Sequence, residues 1–512
     1  MEESKFVNKK YEELELNNLI SYPKKSNNNL DLNFSLNEKE KECFSFILNI
    51  LSKHNKTSTI CRVVGGWVRD KLLGVESNDI DISLNDMEGH ELARLINDEI
   101  YKDKINIGII KQNEVKRKNM EIARIKVCDF LVDFIKIRNS PLFDAERRDI
   151  SINSLFYNIN EQKLEDLCQN GINDLKNGII ETPIEPEIAL RLDPNILIRM
   201  LRFTLKYQFR ISNKMNNCIE KNIEEYKKYL YNNTISRERI QKEFINIMSL
   251  NNSSFAIAYL YKFNLLESIM QPNKYISNNN CNFDRLFLFT CNLYIMGEYL
   301  YKQNIFLELN ENNCNKIDLG FLLLTLNFKD IKDKWGTSLN KSILNRTFRV
   351  PHDIASINQI MIDNFEELKI LVNKVNFDRL EVGKIMRKIT SKNIFTILLA
   401  SISDEYIKII NSKTIISELD KNILSNIIEK YKKFYNYLLK ENLFNVDKLN
   451  PIITGKEIIK MFNVTSNLNQ LKELLVEEQI KNPNITKEFE INFLNNKIIE
   501  LNIPKNKKNI IK

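Results

Sequence analysis

Residues 64–74 read Val64-Gly65-Gly66-Trp67-Val68-Arg69-Asp70-Lys71-Leu72-Leu73-Gly74, and residues 78–82 read Asn78-Asp79-Ile80-Asp81-Ile82. The β-branched, apolar run at 59–64 is typical of a buried strand. Gly65 and Gly66 end that strand and leave backbone N–H groups that a phosphate can approach closely. The apolar spacing at 68–73 predicts a short helix whose positive end faces an anion at the glycine turn, and Arg69 adds a cation.

Asp79 and Asp81 alternate with isoleucines, which is the pattern of a half-buried strand. Because residues i and i+2 of a strand share a face, the two carboxylates point the same way and repel each other unless a cation lies between them. Oxygen ligands without His or Cys nearby favour Mg²⁺. An isolated Asp-x-Asp is usually a turn or a solvated strand end. Together with the glycine turn and Arg69, it indicates a site for nucleotide phosphates and metal.

The motif Gly-Gly-x-Val-Arg-Asp-x-Leu-Leu-Gly followed by Asp-x-Asp resembles the signature of the class II tRNA nucleotidyltransferases. These are the CCA-adding enzymes and the bacterial poly(A) polymerases derived from them. The resemblance implies template-independent transfer of C and A, from CTP and ATP, to the 3′ end of tRNA. It also implies Mg²⁺ as cofactor, with Asp79 and Asp81 as catalytic residues and metal ligands.

The resemblance implies a fold class, namely an α/β polymerase-type head with a mixed, mostly antiparallel sheet, followed by mostly α-helical regions. Composition agrees, since the 512 residues include only 12 glycines and 10 prolines whereas good helix formers abound. The expected domains are a flexible N-terminal extension (1–38), the nucleotidyltransferase head (39–165), a neck for base recognition (166–250), a helical body (251–440) and a helical tail that binds tRNA (441–512).

Charge and composition restrict the partners and the compartment. The net charge of +8 favours a polyanionic partner, and the resemblance implies the acceptor arm and 3′ end of tRNA. Eight cysteines occur without any Cys-x-x-Cys, and three histidines are too few for a zinc site to be expected. The cysteines are expected to be reduced thiols of an intracellular protein, cytoplasmic, with mitochondrion and nucleus as alternatives. No segment has the apolar length of a membrane span, and the sequence leaves the oligomeric state open.

Alternating segments at 105–110, 121–127 and 130–137 predict antiparallel strands that continue the sheet. Asp133 is the acidic residue of an otherwise apolar strand. It is either a paired or edge-exposed aspartate, or a third catalytic carboxylate beside Asp79 and Asp81.

Arg147 and Arg148 begin a run that resembles the family's Arg-Arg-Asp motif. Adjacent arginines can hold a triphosphate through bidentate hydrogen bonds, a geometry that lysine cannot reproduce. The resemblance therefore implies that both arginines bind nucleotide, together with Gly65, Gly66 and Arg69.

The next motif departs from the family at the position that reads the base. The resemblance implies an acidic pair, followed three residues after the second acid by an arginine that reads C or A together with that acid. An ungapped match keeps Asp193, Arg199 and Arg202 as nucleotide-binding residues. It places Leu192 at the first acid and Ile196 at the base-reading arginine. Isoleucine donates no hydrogen bond, so we expect weaker discrimination against UTP and GTP, which an arginine at 196 should sharpen.

A slipped match offers an alternative. Glu187 and Arg191 would restore an acid and an arginine, but only with a five-residue shift before Arg199 and the loss of the Asp193-Pro194 match. The ungapped match is therefore preferred. Under the slipped match, Arg191→Ala would destroy base selectivity.

The run 235–244 matches the family's following motif. Ser236 is a predicted helix N-cap, and Arg239 and Glu243 form a predicted i,i+4 pair on the helix. We expect this helix to support the neck rather than to contact substrate. At the C-terminal end, four lysines either hold phosphates or keep the tail soluble.

Two other functions remain open on the sequence alone. A poly(A) polymerase, or an enzyme that adds only part of CCA, would use the same head with an altered base choice, and Ile196 favours this reading. A tRNA-binding protein without catalysis is disfavoured, because a pure binder gains nothing from two crowded carboxylates.

Overall fold

The computed structural model describes most of the chain as two compact units, which divide between Ile269 and Met270. The described residues are 19, 35–102, 107–110, 121–137, 139–277, 281–306, 314–464, 466–501 and 503. Most of the expected N-terminal extension (1–38) and the four C-terminal lysines (Lys505, Lys507, Lys508 and Lys512) lie outside the described residues. The expected division into head, neck, body and tail is finer than these two units and remains a proposal.

The first unit begins with a seven-stranded mixed sheet of spatial order β3-β4-β5-β2-β1-β6-β7. Its strands are β1 (Cys61–Val64), β2 (Asp79–Leu84), β3 (Gly108–Ile110), β4 (Ile122–Val127), β5 (Phe130–Lys136), β6 (Phe156–Asn158) and β7 (Lys163–Glu165). All neighbouring strands pair antiparallel except β2 and β5, which pair parallel. This confirms the predicted mixed, mostly antiparallel sheet. The expectation of purely antiparallel continuation is wrong at β5, because the helix and hairpin between β2 and β5 return the chain in the direction of β2.

Four helices accompany the sheet: α1 (Glu38–Lys53), α2 (Gly66–Leu72), α3 (Gly89–Tyr101) and α4 (Pro141–Glu146). Helix α1 starts with a capping box in which the side chains of Asn37 and Glu40 each bond the other's backbone N–H. The rings of Phe44, Trp67 and Tyr157 pack within 6.4 Å of one another and join α1 and α2 to β6. This aromatic cluster fixes α2, and with it the glycine turn, against the sheet.

After the sheet, the first unit is mostly helical. Its elements are α5 (Gly171–Asn177), β8 (Ile179–Ile180), α6 (Pro186–Leu192), α7 (Ile196–Tyr207), β9 (Arg210–Ile211), α8 (Asn213–Lys221), α9 (Ile223–Tyr231), α10 (Arg237–Ser249), α11 (Ser253–Lys262) and, up to the division, α12 (Leu266–Met270). Strands β8 and β9 form a separate parallel pair. Helix α7 packs on α10, on α11 and on the preceding α6, so these helices form one corner. Ser236 is the N-cap of α10, as predicted.

The second unit consists of helices in its described residues, apart from short turns and an isolated bridge between Lys332 and Ser338. They are α13 (Phe283–Gln303), α14 (Lys316–Thr325), α15 (Leu339–Ser342), a π-helical turn (Ile343–Phe348), α16 (His352–Asp363), α17 (Phe365–Val372), α18 (Arg379–Ile389), α19 (Ile394–Ile410), α20 (Lys421–Lys440), α21 (Gly455–Phe462), α22 (Leu468–Lys481) and α23 (Lys487–Glu500). The apolar faces of α21, α22 and α23 share a core of their own. The sheet followed by helices confirms the predicted fold class.

The cysteines and the hydropathy of the helices bear on the environment of the protein. All eight cysteines are free thiols, and burial raises the pKa of Cys43 and of Cys61 to about 12. Within the described residues, no helix is both long and apolar enough to cross a bilayer.

Candidate nucleotide and metal site

The turn between β1 and α2 is built around two glycines. Gly65 has φ = 75°, a left-handed conformation that glycine adopts at no steric cost. A Cβ atom at this position would lie 2.8 Å from Nη1 of Arg148, so a larger residue would displace the guanidinium. At Gly66, a Cβ atom would lie 3.3 Å from Nη2 of Arg69. The N–H of Gly65 donates to the carbonyl oxygen of Leu155 at 3.3 Å. The turn therefore brings two arginine side chains close to the backbone at the end of β1.

The carboxylates of β2 lie on the same face of the sheet. Asp79 is exposed and Asp81 is half-buried. Asp133 of β5 is the register partner of Asp81 across the parallel pair. Burial, and then the charge of Asp133, raise the pKa of Asp81, whereas Arg148 and Arg124 act in the opposite direction. Asp81 thus lies near carboxylates, which raise its pKa, and near guanidinium groups, which lower its pKa.

The carboxylate of Asp133 is bonded to an arginine of the neighbouring strand β4. Its two carboxylate oxygens accept hydrogen bonds from Nε and Nη2 of Arg124, both at 2.6 Å. In the described part of the chain, no cluster of three or more His, Cys, Asp and Glu residues is arranged for a metal ion. The donor set that remains is Asp79 and Asp81, two oxygen ligands crowded on one face. This set fits a hard divalent cation such as Mg²⁺.

Arg69 is buried, and its guanidinium contacts other side chains of the protein. Its guanidinium donates to Oδ1 of Asn153, and its Nε donates to Oδ1 of Asp70 at 2.8 Å. The Cζ atom lies 4.7 Å from the ring centroid of Tyr207, whose hydroxyl donates to Asp70 at 3.2 Å. Arg69 therefore connects α2 to the 3₁₀ turn at Ser151–Asn153 and to α7.

Arg147 and Arg148 share a buried carboxylate, that of Asp144 on α4. Arg147 donates to one oxygen, and Nη2 of Arg148 donates to the other at 3.0 Å. Arg148 also donates to the carbonyl oxygen of Asn153 at 3.4 Å and lies 5.3 Å from the ring centroid of Phe156. The side chain of Arg147 is 42% exposed and that of Arg148 is 19% exposed. Arg147 therefore faces solvent more, and Arg148 is held closer to the glycine turn.

A second polar cluster lies between α7 and α10. Nη2 of Arg199 is 2.6 Å from Oδ2 of Asp149, the residue that follows the arginine pair. Nε of Arg202 donates to Oε2 of Glu243 at 2.6 Å, and Nε of Arg199 is 4.0 Å from the other oxygen of Glu243. These contacts link the segment after α4 to α7 and then to α10.

Asp193 ends α6, and its partner comes from α10. Nη1 and Nη2 of Arg239 donate to its two carboxylate oxygens, at 3.0 and 2.6 Å, and the N–H of Asn195 donates to Oδ1 at 3.3 Å. Ile196 is 4% exposed, in the core at the start of α7, whereas Leu192 is 62% exposed. Arg239 and Glu243 were predicted to pair with each other on α10. Instead, Arg239 contacts Asp193 at the end of α6, and Glu243 contacts Arg202 of α7.

Arg191, the arginine of the slipped match, lies elsewhere on α6. Its guanidinium contacts Glu187 at 3.0 Å and both oxygens of Glu225 at 3.2 Å. Glu187 is the acid of the slipped match, so the two residues of that match contact each other on α6. The structure thus pairs an acid with an arginine in each match, Glu187 with Arg191 and Asp193 with Arg239, and both matches remain predictions.

Several charged residues of the site were not identified from the sequence. Asp144 could have been found from its i,i+3 and i,i+4 spacing to the arginine pair, and Arg124 from its place in a strand of the sheet. The pairing of Arg239 with Asp193 has no local signal, because the two residues are 46 positions apart. The residues that complete the two clusters are Asp70, Arg124, Asp144, Asp149, Asn153, Tyr207, Arg239 and Glu243.

Known proteins provide independent comparisons. Residues 61–181 match the family model of the poly(A) polymerase head domain. The mitochondrial CCA tRNA nucleotidyltransferase of Candida glabrata is 27% identical over 528 residues, which covers 90% of this chain and 95% of the relative. The mitochondrial CCA tRNA nucleotidyltransferase of Saccharomyces cerevisiae is 26% identical over 489 residues, with 84% and 87% covered.

The structural comparison extends over nearly the whole chain. A CCA-adding enzyme solved in complex with ATP superimposes with a TM-score of 0.61 at 17% identity, covering 90% of this chain and 96% of the other. At that identity the likeness establishes the fold. The head-domain match and the two sequence relatives confirm the family resemblance that the glycine and Asp-x-Asp motifs indicate.

Proposed function

We propose that this relative of the CCA tRNA nucleotidyltransferases is itself a template-independent nucleotidyltransferase, which adds C and A from CTP and ATP to the 3′ end of tRNA. The observation that carries the proposal is the pair Asp79 and Asp81 on one face of β2. Arg148 lies close enough to favour the charged form of Asp81. Crowded carboxylates beside a guanidinium suit a site for metal and triphosphate, whereas they bring no benefit to a protein that only binds RNA.

Asp79 and Asp81 are the residues that would hold Mg²⁺. An ion held there would supply activation of the primer 3′-hydroxyl and charge neutralisation for the triphosphate and the leaving pyrophosphate. The two carboxylates provide the negative charge for this binding. Asp133, beside them and bonded to Arg124, is the candidate for a third carboxylate, and its contribution is a separate prediction below.

The arginines and the glycine turn would bind the phosphates. Arg148 is held between Asp144 and the turn, so its guanidinium is preorganised, and Arg147 is the more accessible of the pair. Gly65 admits Arg148 to this position, and Arg69 supports the turn from within the core. The absence of a side chain at Gly66 leaves room for the guanidinium of Arg69 beside the turn. Preorganised charge of this kind stabilises a phosphoryl transition state without reorganisation.

Asp193, Arg199 and Arg202 are the proposed residues next to the base. They are supported by their position on the α6–α7 corner and by the contact of Arg199 with Asp149, which follows the arginine pair directly. Through this contact, the α6–α7 corner adjoins the segment that carries the arginines proposed to bind the phosphates.

The tRNA acceptor arm is the proposed partner of the helical second unit. The net charge of +8 supports a polyanionic ligand. Two relatives are mitochondrial enzymes. For this chain we propose a cytoplasmic site of action, with the mitochondrion and the nucleus as alternatives.

A direct test uses purified protein with Mg²⁺ and tRNA that lacks its 3′ CCA. CTP and ATP are supplied separately and together, and products are resolved at single-nucleotide length. We expect two C residues with CTP alone and a completed CCA only with both nucleotides. A tRNA that already ends in CCA serves as the control and should not be extended. Tight tRNA binding without any incorporation would overturn the proposal in favour of a non-catalytic binder.

The second candidate is a poly(A) polymerase or an enzyme that adds only CC or only A. Ile196 favours it, because the family's base-reading arginine is missing at that position. The same assay separates the candidates. A long A tract made with ATP alone, or a product that stops at CC with both nucleotides present, would support this alternative.

A further inference from the structure

The α6–α7 corner lacks an arginine where the family resemblance places one. Ile196 occupies that position and is buried, and its side chain has no group that can donate to a base edge. Asp193 nevertheless keeps a guanidinium as its partner. That guanidinium belongs to Arg239, which reaches it from α10.

The Asp193–Arg239 pair has the geometry of a recognition edge. Both terminal nitrogens of Arg239 bond the carboxylate, one to each oxygen, and this bidentate contact restricts the orientation of the guanidinium. Two of the five N–H groups of a guanidinium serve this contact, which leaves three for a ligand. The side chains of Arg239 and Asp193 are 39% and 25% exposed, so the pair is accessible from solvent.

Ion pairs, together with two pairs of residues that are close together along the chain, connect Asp193 and Arg239 to the arginines beside the carboxylates of β2. Arg239 and Glu243 are one turn apart on α10 and lie on the same face. Glu243 binds Arg202 and approaches Arg199, which in turn binds Asp149. Asp149 directly follows Arg148. Helix α10 thus contributes charged groups along the whole corner, rather than a single isolated surface contact.

We propose that Arg239 supplies the base-reading guanidinium that Ile196 cannot, so that Asp193 and Arg239 together select the incoming nucleotide. The inference rests on the proposed nucleotidyl transfer and names a specificity-determining residue for it. Cytosine and adenine both present an amino donor next to a ring-nitrogen acceptor on the pairing edge. A carboxylate accepts from the amino group, and a guanidinium donates to the ring nitrogen. Uracil and guanine present the reverse order of donor and acceptor, which leaves both protein groups mismatched.

The experiment measures kcat/KM for single-nucleotide incorporation of CTP, ATP, UTP and GTP in wild type, Arg239→Ala and Arg239→Lys. We expect the preference for CTP and ATP over UTP and GTP to fall about 5- to 150-fold in Arg239→Ala. This range corresponds to the roughly 1–3 kcal/mol of one bidentate base contact. Lysine keeps the charge but not the fork, so Arg239→Lys should not restore the preference.

Arg191→Ala is the matched control, because Arg191 forms a comparable ion pair on the same helix as Asp193 but contacts Glu187 and Glu225. Its selectivity should equal that of wild type. Loss of selectivity in Arg191→Ala with an unchanged profile in Arg239→Ala would overturn the inference and favour the slipped match.

A charge exchange separates recognition from structure. Asp193→Arg combined with Arg239→Asp restores an ion pair with its ends reversed, and thermal unfolding reports whether folding is preserved. Base reading predicts recovered stability without recovered selectivity, whereas recovery of both would overturn the inference. Failure of the proposed function looks different, because wild type would then incorporate none of the four nucleotides, and the inference would fall with it.

Discussion

The two polar corners of the first unit are built by different means. At the edge of β2, Asp79 and Asp81 are two positions apart, and their shared face follows from the pleat of the strand. At the α6–α7 corner, Asp193 meets Arg239 from a helix 46 positions later in the chain. The first corner is a local property of one strand, and the second depends on how helices pack. The partner of a charged residue at the second corner can therefore come from a distant helix, whereas the spacing of Asp79 and Asp81 is set within one strand.

The largest expected effect is at the strand. Asp79→Ala or Asp81→Ala should reduce nucleotide incorporation to below about 1% of wild type, because the metal ligands are lost. Binding of tRNA should survive, since RNA affinity comes from basic surface elsewhere. Incorporation and a gel-shift assay measure the two properties. Asp129→Ala is the control, as this exposed aspartate of the β4–β5 turn pairs with Lys39. Retention of more than a few per cent of the rate in either site variant would contradict the assignment of Asp79 and Asp81 as the ligands of catalytic Mg²⁺.

The next largest effect, on nucleotide KM, is expected at Arg147 and Arg148. Arg148→Lys should raise KM for CTP and ATP by up to about 100-fold, since lysine lacks the planar fork through which Arg148 bonds Asp144 and the Asn153 carbonyl oxygen. Arg147→Lys should have the smaller effect, because the Arg147 side chain is the more exposed of the two. Steady-state kinetics with each nucleotide test this order.

The matched control for the arginine pair is Arg210→Lys on β9, an exposed arginine that is not among the proposed site residues. Unchanged KM values in Arg148→Lys would assign the pair a structural role only.

Substitution of Asp133 tests whether the carboxylate site of β2 includes a residue of β5. Asp133→Asn should lower kcat by roughly tenfold, less than Asp81→Ala, because both oxygens of Asp133 are already bonded to Arg124. Arg124→Gln isolates the loss of that ion pair from the loss of the carboxylate. A loss of activity in Asp133→Asn as complete as in Asp81→Ala would make Asp133 an equal member of the catalytic set.

The smallest expected change in selectivity concerns Ile196. The missing arginine taken alone predicts that Ile196→Arg sharpens discrimination against UTP and GTP. The presence of Arg239 predicts a change of less than about twofold, together with a lower melting temperature, because a charge enters a buried position. In an Arg239→Ala background, Ile196→Arg should instead recover part of the selectivity. Sharpened selectivity in the single variant would show that Arg239 does not fill the role.

Much of the strand corner could be predicted from local patterns. The strand before Gly65, the glycine turn, the short helix after it and the half-buried strand with Asp79 and Asp81 all follow from spacing within a few residues. The mostly antiparallel sheet and the helical remainder were also predicted. The parallel pairing of β5 with β2 was not, because strand direction depends on the path of the chain between the strands, which residue alternation does not encode.

The amino-acid sequence by itself determined the secondary structure around residues 60–84 and the juxtaposition of Asp79 and Asp81, because backbone geometry repeats every two or 3.6 residues and acts over short range. Tertiary structure alone decided the partners of the charged groups. It directed Arg124 to Asp133 and Arg239 to Asp193. A charged side chain bonds whichever opposite charge the packed helices and strands bring within about 3 Å, and that neighbour is set by the whole fold rather than by the adjoining residues.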